Sequence, residues 1–177
     1  MMAVRINPEK SAVMQVAEAM CIAARTAPKA RGVDNLVTAI VADPPEKEAL
    51  AAAMRTFSEE IGAPFFARDA QNLLDADACV IVGTRLERLG IPGCNLCGFE
   101  GCAANEAAGA RCAYNASDLG IALGSAVSLA ADHRVDCRVM YSIGLLAVRL
   151  GLLGEEVRIA FGIPLSVTGK SLFFDRK

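Results

Sequence analysis

The spacing of apolar and polar residues along the chain predicts five helices. After Asn7-Pro8, which supplies a cap and a preset first turn, apolar residues recur at helical spacing as far as about Arg25. A second helix is expected to begin at Asp43-Pro44-Pro45 and to end at Gly62. The other three are a short helix that Asp69 caps and that ends at Leu74, a long helix from Asn115 or Ser117 to about Asp132, and a helix from Tyr141 to Leu150, which Gly151 ends.

Three short apolar runs predict β-strands. They are Leu36 to Val41, Ala78 to Gly83 and Val157 to Phe161, and the second, ACVIVG, is typical of a buried strand. Gly162-Ile163-Pro164 is then expected to turn the chain into a polar tail, residues 166–177. Helices and short strands are mixed without an internal repeat or a linker, so we expect one domain over residues 1–177, of the α/β or α+β class.

Composition and charge argue against several kinds of partner. Hydrophobic residues make up 54% of the chain, but the most apolar stretch, Leu119 to Ala131, is shorter than the roughly 20 residues of a membrane-spanning helix. Residues 1–10 lack the apolar core of a secretory signal, so we expect a cytoplasmic protein whose seven cysteines are reduced thiols or ligands. The net charge of -2 and the lack of a basic block argue against nucleic acid and anionic membranes.

Four of the seven cysteines lie close together, and they predict a metal site. Cys94, Cys97, Cys102 and Cys112 follow one another with two, four and nine residues between them. Glycines stand among them within residues 93–112, which we call the cysteine segment. Glycine lets the backbone curl around a metal centre and direct amide groups at its sulfur atoms, so this segment suits thiolate ligation.

The spacing favours an iron-sulfur cluster over zinc. Zinc sites of this type more often use two Cys-x2-Cys pairs, whereas here three cysteines crowd one turn and Cys112 comes later alone. The spacing matches neither of the two common ferredoxin patterns, so it does not fix the type of cluster, for which we expect 4Fe-4S. A zinc site and a segment without metal are the alternatives.

The remaining cysteines and the histidine have structural interpretations. Cys21 and Cys79 are expected to pack as small hydrophobic residues. Cys137, in a predicted loop, is expected to pack as well, with a reserve ligand as the alternative. His133, the only histidine, follows the long helix, where an imidazolium would complement the helix dipole. Since there is no Ser-His-Asp order and no Glu/His cluster, we predict no hydrolase and assign no catalytic residue.

Two polar stretches could bind a phosphate. Arg25, Thr26, Lys29 and Arg31 leave the first helix with three cations and a hydroxyl. The tail offers Lys170 among hydroxyl groups and a glycine, which can shape an anion-binding nest. Solvated surface loops are the alternative interpretation of both.

A resemblance to known families bears on these stretches. Residues 23–35 (AARTAPKARGVDN), residues 118–131 (DLGIALGSAVSLAA) and Gly162-Ile163-Pro164 resemble the early flavin-binding loop, the central helix and the late Gly-x-Pro turn of the FMN-dependent nitroreductase family. The whole chain, with its block CNLCGFEGC and its ending GIPLSVTGKSLFFDR, resembles a family of uncharacterised bacterial and archaeal proteins described as containing a ferredoxin domain.

These resemblances imply cofactors and a fold. The nitroreductase resemblance implies an α+β fold with a short-stranded sheet, a homodimer and FMN, with Arg25, Thr26 and Lys29 near the flavin and Lys170 at its phosphate. The ferredoxin-domain resemblance implies an iron-sulfur cluster on the four named cysteines.

The function that we expect is a small redox protein in which a flavin exchanges electrons with a nearby cluster. It would act as a nitroreductase-like oxidoreductase on a small-molecule acceptor or with a redox partner protein. The substrate and the electron donor stay open. The alternatives are an electron carrier or redox sensor without flavin, and a zinc-stapled structural or interaction domain.

Overall fold

Over residues 6–174, the part of the chain that this computed structural model describes, six α-helices surround one four-stranded β-sheet. The helices are α1 (Glu9–Thr26), α2 (Pro44–Ile61), α3 (Phe65–Asp75), α4 (Gly101–Ala107), α5 (Ala113–Asp132) and α6 (Tyr141–Arg149). The strands are β1 (Leu36–Val41), β2 (Ala78–Arg85), β3 (Asp136–Cys137) and β4 (Val157–Ser166). A short 3-10 turn, Ala30–Gly32, precedes β1. This arrangement confirms the predicted α+β class.

The sheet is antiparallel throughout, with the strand order β1-β2-β4-β3. At one end Leu36 pairs with Thr84, which pairs with Ile159, and we call this the Leu36 end. At the other end Val41 pairs with Cys79, which pairs with Pro164, and we call this the Cys79 end. The chain leaves β2 at the Leu36 end and leaves β4 at the Cys79 end, so the segments that follow these two strands lie apart.

Two hydrophobic clusters cover the two faces of the sheet. One cluster combines β2 residues Val80 and Val82 with side chains from α1 and α5. The other combines Cys79 and Ile81 with side chains from α2, α3 and α6. Successive residues of a strand point to opposite faces, so β2 contributes alternately to both clusters. This explains why its sequence is a continuous apolar run.

Most of the predicted helices and strands are confirmed, several of them to within a residue or two. β1 has the predicted bounds, and α1 and α6 end within a residue of the expected positions. α2 ends where Gly62 takes a left-handed conformation with φ of 64°. The N–H of Gly62 then bonds to carbonyls of the last turn, which is the common glycine C-cap.

The predicted helix caps were wrong at four residues. α1 follows Pro8 without a side-chain cap, so Asn7 does not serve as one. Asp69 lies inside α3, where it is buried and its Oδ2 accepts a 2.5 Å hydrogen bond from Ser142 Oγ. α5 begins directly after Cys112, which places Asn115 and Ser117 within the helix. A capping residue type was present in each case, but tertiary contacts or the preceding turn set the boundary.

The predicted turn at Gly162-Ile163-Pro164 was also wrong, because these residues lie inside β4. That strand runs to Ser166, five residues beyond the predicted end. Among the residues that the structure describes, β4 pairs on its β3 side only at residues 165–166 and at the bridge between Met140 and Gly162. Pro164 falls between these two points, where its missing N–H costs no ladder bond.

Helix α6 approaches β4 closely enough to require glycine in both elements. A Cβ atom at Gly144 would lie 1.9 Å from the carbonyl oxygen of Ala160, and one at Gly162 would lie 2.3 Å from Ile143 Cγ2. Met140, just before α6, exchanges two backbone hydrogen bonds with Gly162. The backbones of α6 and β4 are in direct contact here, and this contact fixes the position of α6 on the sheet.

The first prediction concerns this contact. We expect Gly144→Ala to lower the free energy of unfolding by about 3 kcal/mol, the upper end of overpacking costs, because the clash is with a backbone that cannot rotate away. Gly169→Ala is the matched control, since its added Cβ meets nothing within 4 Å. Urea denaturation measures both variants. A loss below about 1 kcal/mol for Gly144→Ala, the size of an ordinary point substitution, would contradict the contact.

Candidate functional site

The four cysteines of the cysteine segment surround one cavity at the Leu36 end of the sheet. Cys94, Cys97, Cys102 and Cys112 are all partly buried, and all four line this cavity. Its volume is about 20 Å³. The other lining residues are Arg88, Leu96, Asn105, Ala113 and Tyr114. The structure therefore brings together the four residues that the sequence predicted as ligands.

Glycines and one asparagine shape the turn that carries the first three cysteines. Gly98 and Gly101 have φ of 82° and 81°, a region that other residues rarely adopt. The carbonyl of Asn95 accepts a 2.9 Å hydrogen bond from the N–H of Gly98, and its side-chain Oδ1 accepts a 3.2 Å bond from Gly101. Cys102 is the second residue of α4, so the chain reverses within a few residues around the cavity.

A buried polar network joins the two halves of the segment. Asn105 is 1% exposed. Its Oδ1 accepts a 2.9 Å hydrogen bond from Arg88 Nε, and its Nδ2 donates a 3.0 Å bond to the carbonyl of Arg111. Arg88 also donates to Glu106 Oε1 and to the carbonyl of Ala110, both at 3.3 Å. The network holds Cys102 and Cys112 on the same cavity.

Sequence reasoning missed Arg88 and Asn105. Neither residue belongs to the cysteine spacing, and an arginine before a loop or an asparagine in a short helix is common at protein surfaces. The pairing is visible only when the chain is folded, because it joins positions 17 residues apart.

The donor set of the cavity suits a soft metal centre. Four thiols line it, without a carboxylate or an imidazole, and such donors fit zinc, copper(I) or an iron-sulfur cluster better than magnesium or calcium. The four cysteines line the cavity, but their side chains are not grouped around one point. Among residues 6–174, no three His, Cys, Asp or Glu side chains are grouped closely enough to bind a single ion.

The volume of the cavity limits the size of the metal centre that it can hold. Tetrahedral zinc at Zn–S distances of about 2.3 Å would bring its sulfur ligands to ~3.8 Å from one another. A space of 20 Å³ admits about one water molecule. A cluster of several iron atoms therefore enters only when the segment widens, and the glycines of its turns allow that movement.

The other cysteines lie away from this cavity. Cys79 is fully buried in β2, and burial raises the pKa of its thiol to about 12. Burial also raises the pKa of Cys21, on α1, and of Cys137, where nearby Asp136 raises it further. Cys137 belongs to β3 and not to a loop, and it pairs with Leu165 at the Cys79 end. It therefore cannot serve as a reserve ligand.

The predicted flavin residues Arg25, Thr26 and Lys29 make contacts within the chain that shape residues 25–35, which we call the basic loop. Arg25 Nη1 donates 2.7 Å hydrogen bonds to Asp34 Oδ2 and to the carbonyl of Leu36. Lys29 Nζ donates to the carbonyls of Arg25 (2.6 Å), Ala27 (2.8 Å) and Ala24 (3.3 Å) at the end of α1. Thr26 Oγ1 donates to the carbonyl of Ile22 at 3.0 Å.

One ionisable group of the basic loop has a shifted pKa. Burial opposes ionisation of Asp34, but the hydrogen bond from Arg25, together with the N–H of Leu36, outweighs it and holds the carboxyl pKa below its usual value. Asp34 thus stays ionised and anchors Arg25 at neutral pH.

The basic loop lies against the cysteine segment. The N–H of Ala30 donates to the carboxylate of Asp118 on α5, at 3.1 Å and 3.2 Å. Arg31 Nη1 donates to the carbonyl of Leu89, in the stretch that leads from β2 into the cysteine segment. The N–H of Arg85 donates to the carbonyl of Asn35 at 2.9 Å. Both predicted sites therefore share the Leu36 end of the sheet.

Lys170, the fourth predicted flavin residue, lies elsewhere. It follows β4 at the Cys79 end and is exposed. The strand carries the chain ~24 Å from Ile159 to Ser166. The four residues from Ser166 to Lys170 can span at most ~14 Å on the way back. These lengths leave the backbone of Lys170 at least ~10 Å short of the Leu36 end, so within one chain Lys170 and the basic loop belong to different ends of the sheet. The last residues of the predicted tail, 175–177, lie outside the described part.

Two further expectations can be compared with the structure. His133 directly follows α5, as predicted, and its N–H donates to the carbonyl of Leu129 at 3.2 Å. Within the described range, 6–174, none of the helices combines the length and the apolar character needed to cross a membrane.

Comparison with known proteins identifies similar sequences. Residues 108–176 match the model of a family described as "Uncharacterized protein containing a ferredoxin domain (DUF2148)". Of the four predicted ligands, this range contains Cys112. An uncharacterised protein of Archaeoglobus fulgidus is 40% identical over 165 residues, which cover 89% of this chain and 88% of that protein.

Solved structures share the fold at low sequence identity. A nitroreductase family protein from Clostridium novyi NT matches with a TM-score of 0.56 and 16% identity, over 96% of this chain and 78% of that one. A protein described as the oxidoreductase containing FMN matches with a TM-score of 0.60 and 13% identity, over 88% and 67%. The predicted nitroreductase-like fold is confirmed.

The second prediction tests the buried network of the cysteine segment. Asn105→Ala would leave Arg88 Nε–H and the Arg111 carbonyl without their partners, at a cost of about 1–3 kcal/mol each. We expect faster amide hydrogen exchange in the cysteine segment and unchanged exchange in β2, measured by mass spectrometry. Gln71→Ala, which removes exposed hydrogen bonds to Arg55 and Asp75, is the control. Equal exchange in Asn105→Ala and the parent would refute the role of the network.

Proposed function

Because this chain belongs to the family of proteins described as containing a ferredoxin domain, we propose that it is a small redox protein that binds an iron-sulfur cluster. The observation that carries the proposal is the shared cavity of Cys94, Cys97, Cys102 and Cys112. When bound, the cluster would supply one-electron transfer, with the four thiolates as ligands. We favour 4Fe-4S, because the spacing of the four cysteines lacks the two Cys-x2-Cys pairs that are common in structural zinc sites.

The remaining wall of the cavity supports thiolate ligation. Arg88 is 26% exposed, and it presents a positive charge at the cavity. A positive charge beside the cavity would offset the negative charge of a thiolate-bound cluster. Leu96 and Ala113 add apolar surface, and low polarity around a metal centre is one of the factors that set its potential. Arg88 would thus stabilise the loaded site as well as the fold of the segment.

Flavin is the second cofactor that we propose, on the basis of the basic loop. One structural neighbour is described as containing FMN. The basic loop lies at the same end of the sheet as the cysteine segment, linked to it through Arg31 and Leu89. A flavin there would stand near the cluster and could pass electrons one at a time. Arg25 is 43% exposed, so part of its charge faces outward.

A homodimer would complete such a flavin site. Lys170 follows β4 at the Cys79 end and the basic loop lies at the Leu36 end, so we propose that a second copy supplies Lys170 to the phosphate of a flavin at the basic loop. α5 offers a surface for it, because a Cβ at Gly120 or Gly124 would meet nothing within 4 Å and Ile121 is 45% exposed. The exposed residues of this helix before its last turn are uncharged: Ala116, Ser117, Gly120, Ile121, Gly124 and Ser128.

An electron carrier without flavin is the second candidate function. Lys29 already donates to three carbonyls and Arg25 to Asp34, so both side chains have structural partners before any flavin arrives. In that case the exposed basic loop would contact a partner protein next to the cluster. Metal ligation by the four cysteines is common to both candidates.

The third prediction tests the ligands. After anaerobic purification, we expect iron, acid-labile sulfide and a broad visible absorption band. Cys97→Ser should lose most of the iron and sulfide, because it removes one of four thiolates. Cys137→Ser is the matched control, since that thiol lies at the opposite end of the sheet. Full iron and sulfide in Cys97→Ser would refute the ligand assignment, and zinc without iron in the parent would indicate a zinc-stapled domain.

The fourth prediction tests the flavin site. We expect Lys170→Ala to weaken FMN binding about tenfold or more, because a hydrogen bond to a charged group contributes about 1.5–3 kcal/mol, and to leave the metal content unchanged. Lys10→Ala, at another exposed lysine, should bind FMN as the parent does. Sedimentation should show FMN on a dimer. Equal FMN titrations of Lys170→Ala and the parent, or a monomeric FMN complex, would contradict this site. A parent protein that binds no FMN would favour the electron carrier.

A further inference from the structure

A second cavity lies beside the cysteine segment, between α6 and β4. Its volume is about 250 Å³. Apolar side chains of Leu145 and Val148 on the helix and of Ile159 on the strand form part of its wall. The other lining residues are Arg111, Tyr141, Arg158, Ala160 and Phe161. We call this cavity the arginine groove.

The groove exists because β3 is short. Among the described strands, β3 pairs with β4 only at residues 165–166, and the next contact on that side is the bridge from Met140 to Gly162. β4 therefore has an open edge before Gly162. Residues two apart in a strand have the same orientation, so the N–H and C=O of Ala160 point to the same edge as those of Gly162. The carbonyl of Ala160 lies against Gly144 of α6. The N–H of Ala160 therefore faces the groove.

Both arginines of the groove lack an acidic partner. Within residues 6–174, the guanidinium of Arg111 makes neither a hydrogen bond nor an ion pair. Arg158 Nη1 donates to a neutral group, the backbone carbonyl of Glu155. The nearby carboxylate of Glu156 is 3.1 Å from Arg85 Nε, so it is paired elsewhere. None of the lining residues is acidic, and the groove therefore carries two positive charges.

The remaining features of the groove indicate the body of the ligand. Tyr141 adds an aromatic ring to the apolar wall and is 52% exposed. The side chain of Phe161 packs on the other face of the sheet, with the cluster of α1 and α5. Aromatic side chains pack on flat rings, and guanidinium groups bind carboxylates through two parallel hydrogen bonds. Drug-sized ligands occupy pockets of about 300–1,000 Å³, so 250 Å³ suits one or two rings and is too small for FMN.

We propose that the arginine groove binds a small aromatic carboxylate, with Arg111 and Arg158 at the carboxylate and Tyr141 against the ring. This binding site goes beyond the proposed redox function and does not require a cluster. Arg111 immediately precedes Cys112, so a ligand in the groove would lie next to the cysteine cavity.

Isothermal titration of the full chain with 2-naphthoate tests the proposal. We expect saturable binding of one molecule per chain. Arg111→Gln and Arg158→Gln should each weaken it about tenfold, because each removes a charge-assisted contact. The neutral analogue 2-naphthalenemethanol should bind weakly and equally to all variants. Arg55→Gln is the control, since that exposed guanidinium donates to Gln71, away from the groove.

The outcomes separate this proposal from the metal site. Cys97→Ser, which should lack the cluster, is expected to bind 2-naphthoate as the parent does, so failure of the cluster assignment leaves the groove testable. No saturable binding by the folded parent, or equal affinity in both arginine variants and the parent, would overturn the proposal. Displacement of 2-naphthoate by FMN would overturn it too, because the groove would then belong to a flavin site.

Discussion

Strand β2 is apolar on both faces, and this constraint organises the rest of the molecule. A strand buried on both faces needs a covering layer on each side, which α1 and α5 supply on one face and α2, α3 and α6 on the other. Its two neighbours in the sheet, β1 and β4, shield its edges. The residues proposed to bind ligands therefore lie at the ends and at the open edge of the sheet. The cysteine cavity and the basic loop lie at one end, and the arginine groove lies along the exposed part of β4.

Local patterns revealed the parts of the fold that depend on neighbouring residues. The run ACVIVG has one favourable environment, a buried strand, and Gly62 can end a helix because it alone adopts a left-handed conformation there at little cost. The four cysteines could be predicted as one site because they are close in sequence, and the turns between them contain glycine. In each of these cases, the chemistry that decides the structure is contained in a few consecutive residues.

The features that sequence patterns missed depend on contacts between distant residues. Gly162-Ile163-Pro164 has the composition of a turn, but the close approach of α6 makes glycine necessary there, and the gap in the β3 ladder makes proline harmless. Asp69 has the composition of a helix cap, but Ser142 on another helix holds it in the core. Arg88 and Asn105 have no sequence signature. Lys170 and the basic loop lie at different ends of the sheet because of the register of β4. Short stretches of similar sequence carry no information about this register.

The four proposed ligands are close together in the sequence, and this affects the order of folding and metal binding. All four proposed ligands lie within residues 94–112, and none of them belongs to either hydrophobic cluster. The sheet and its two helical layers can therefore form before any metal binds to the thiols. Metal binding then closes only short loops, which costs little chain entropy. A protein that has lost a metal centre bound there would therefore keep its sheet and its helical layers folded.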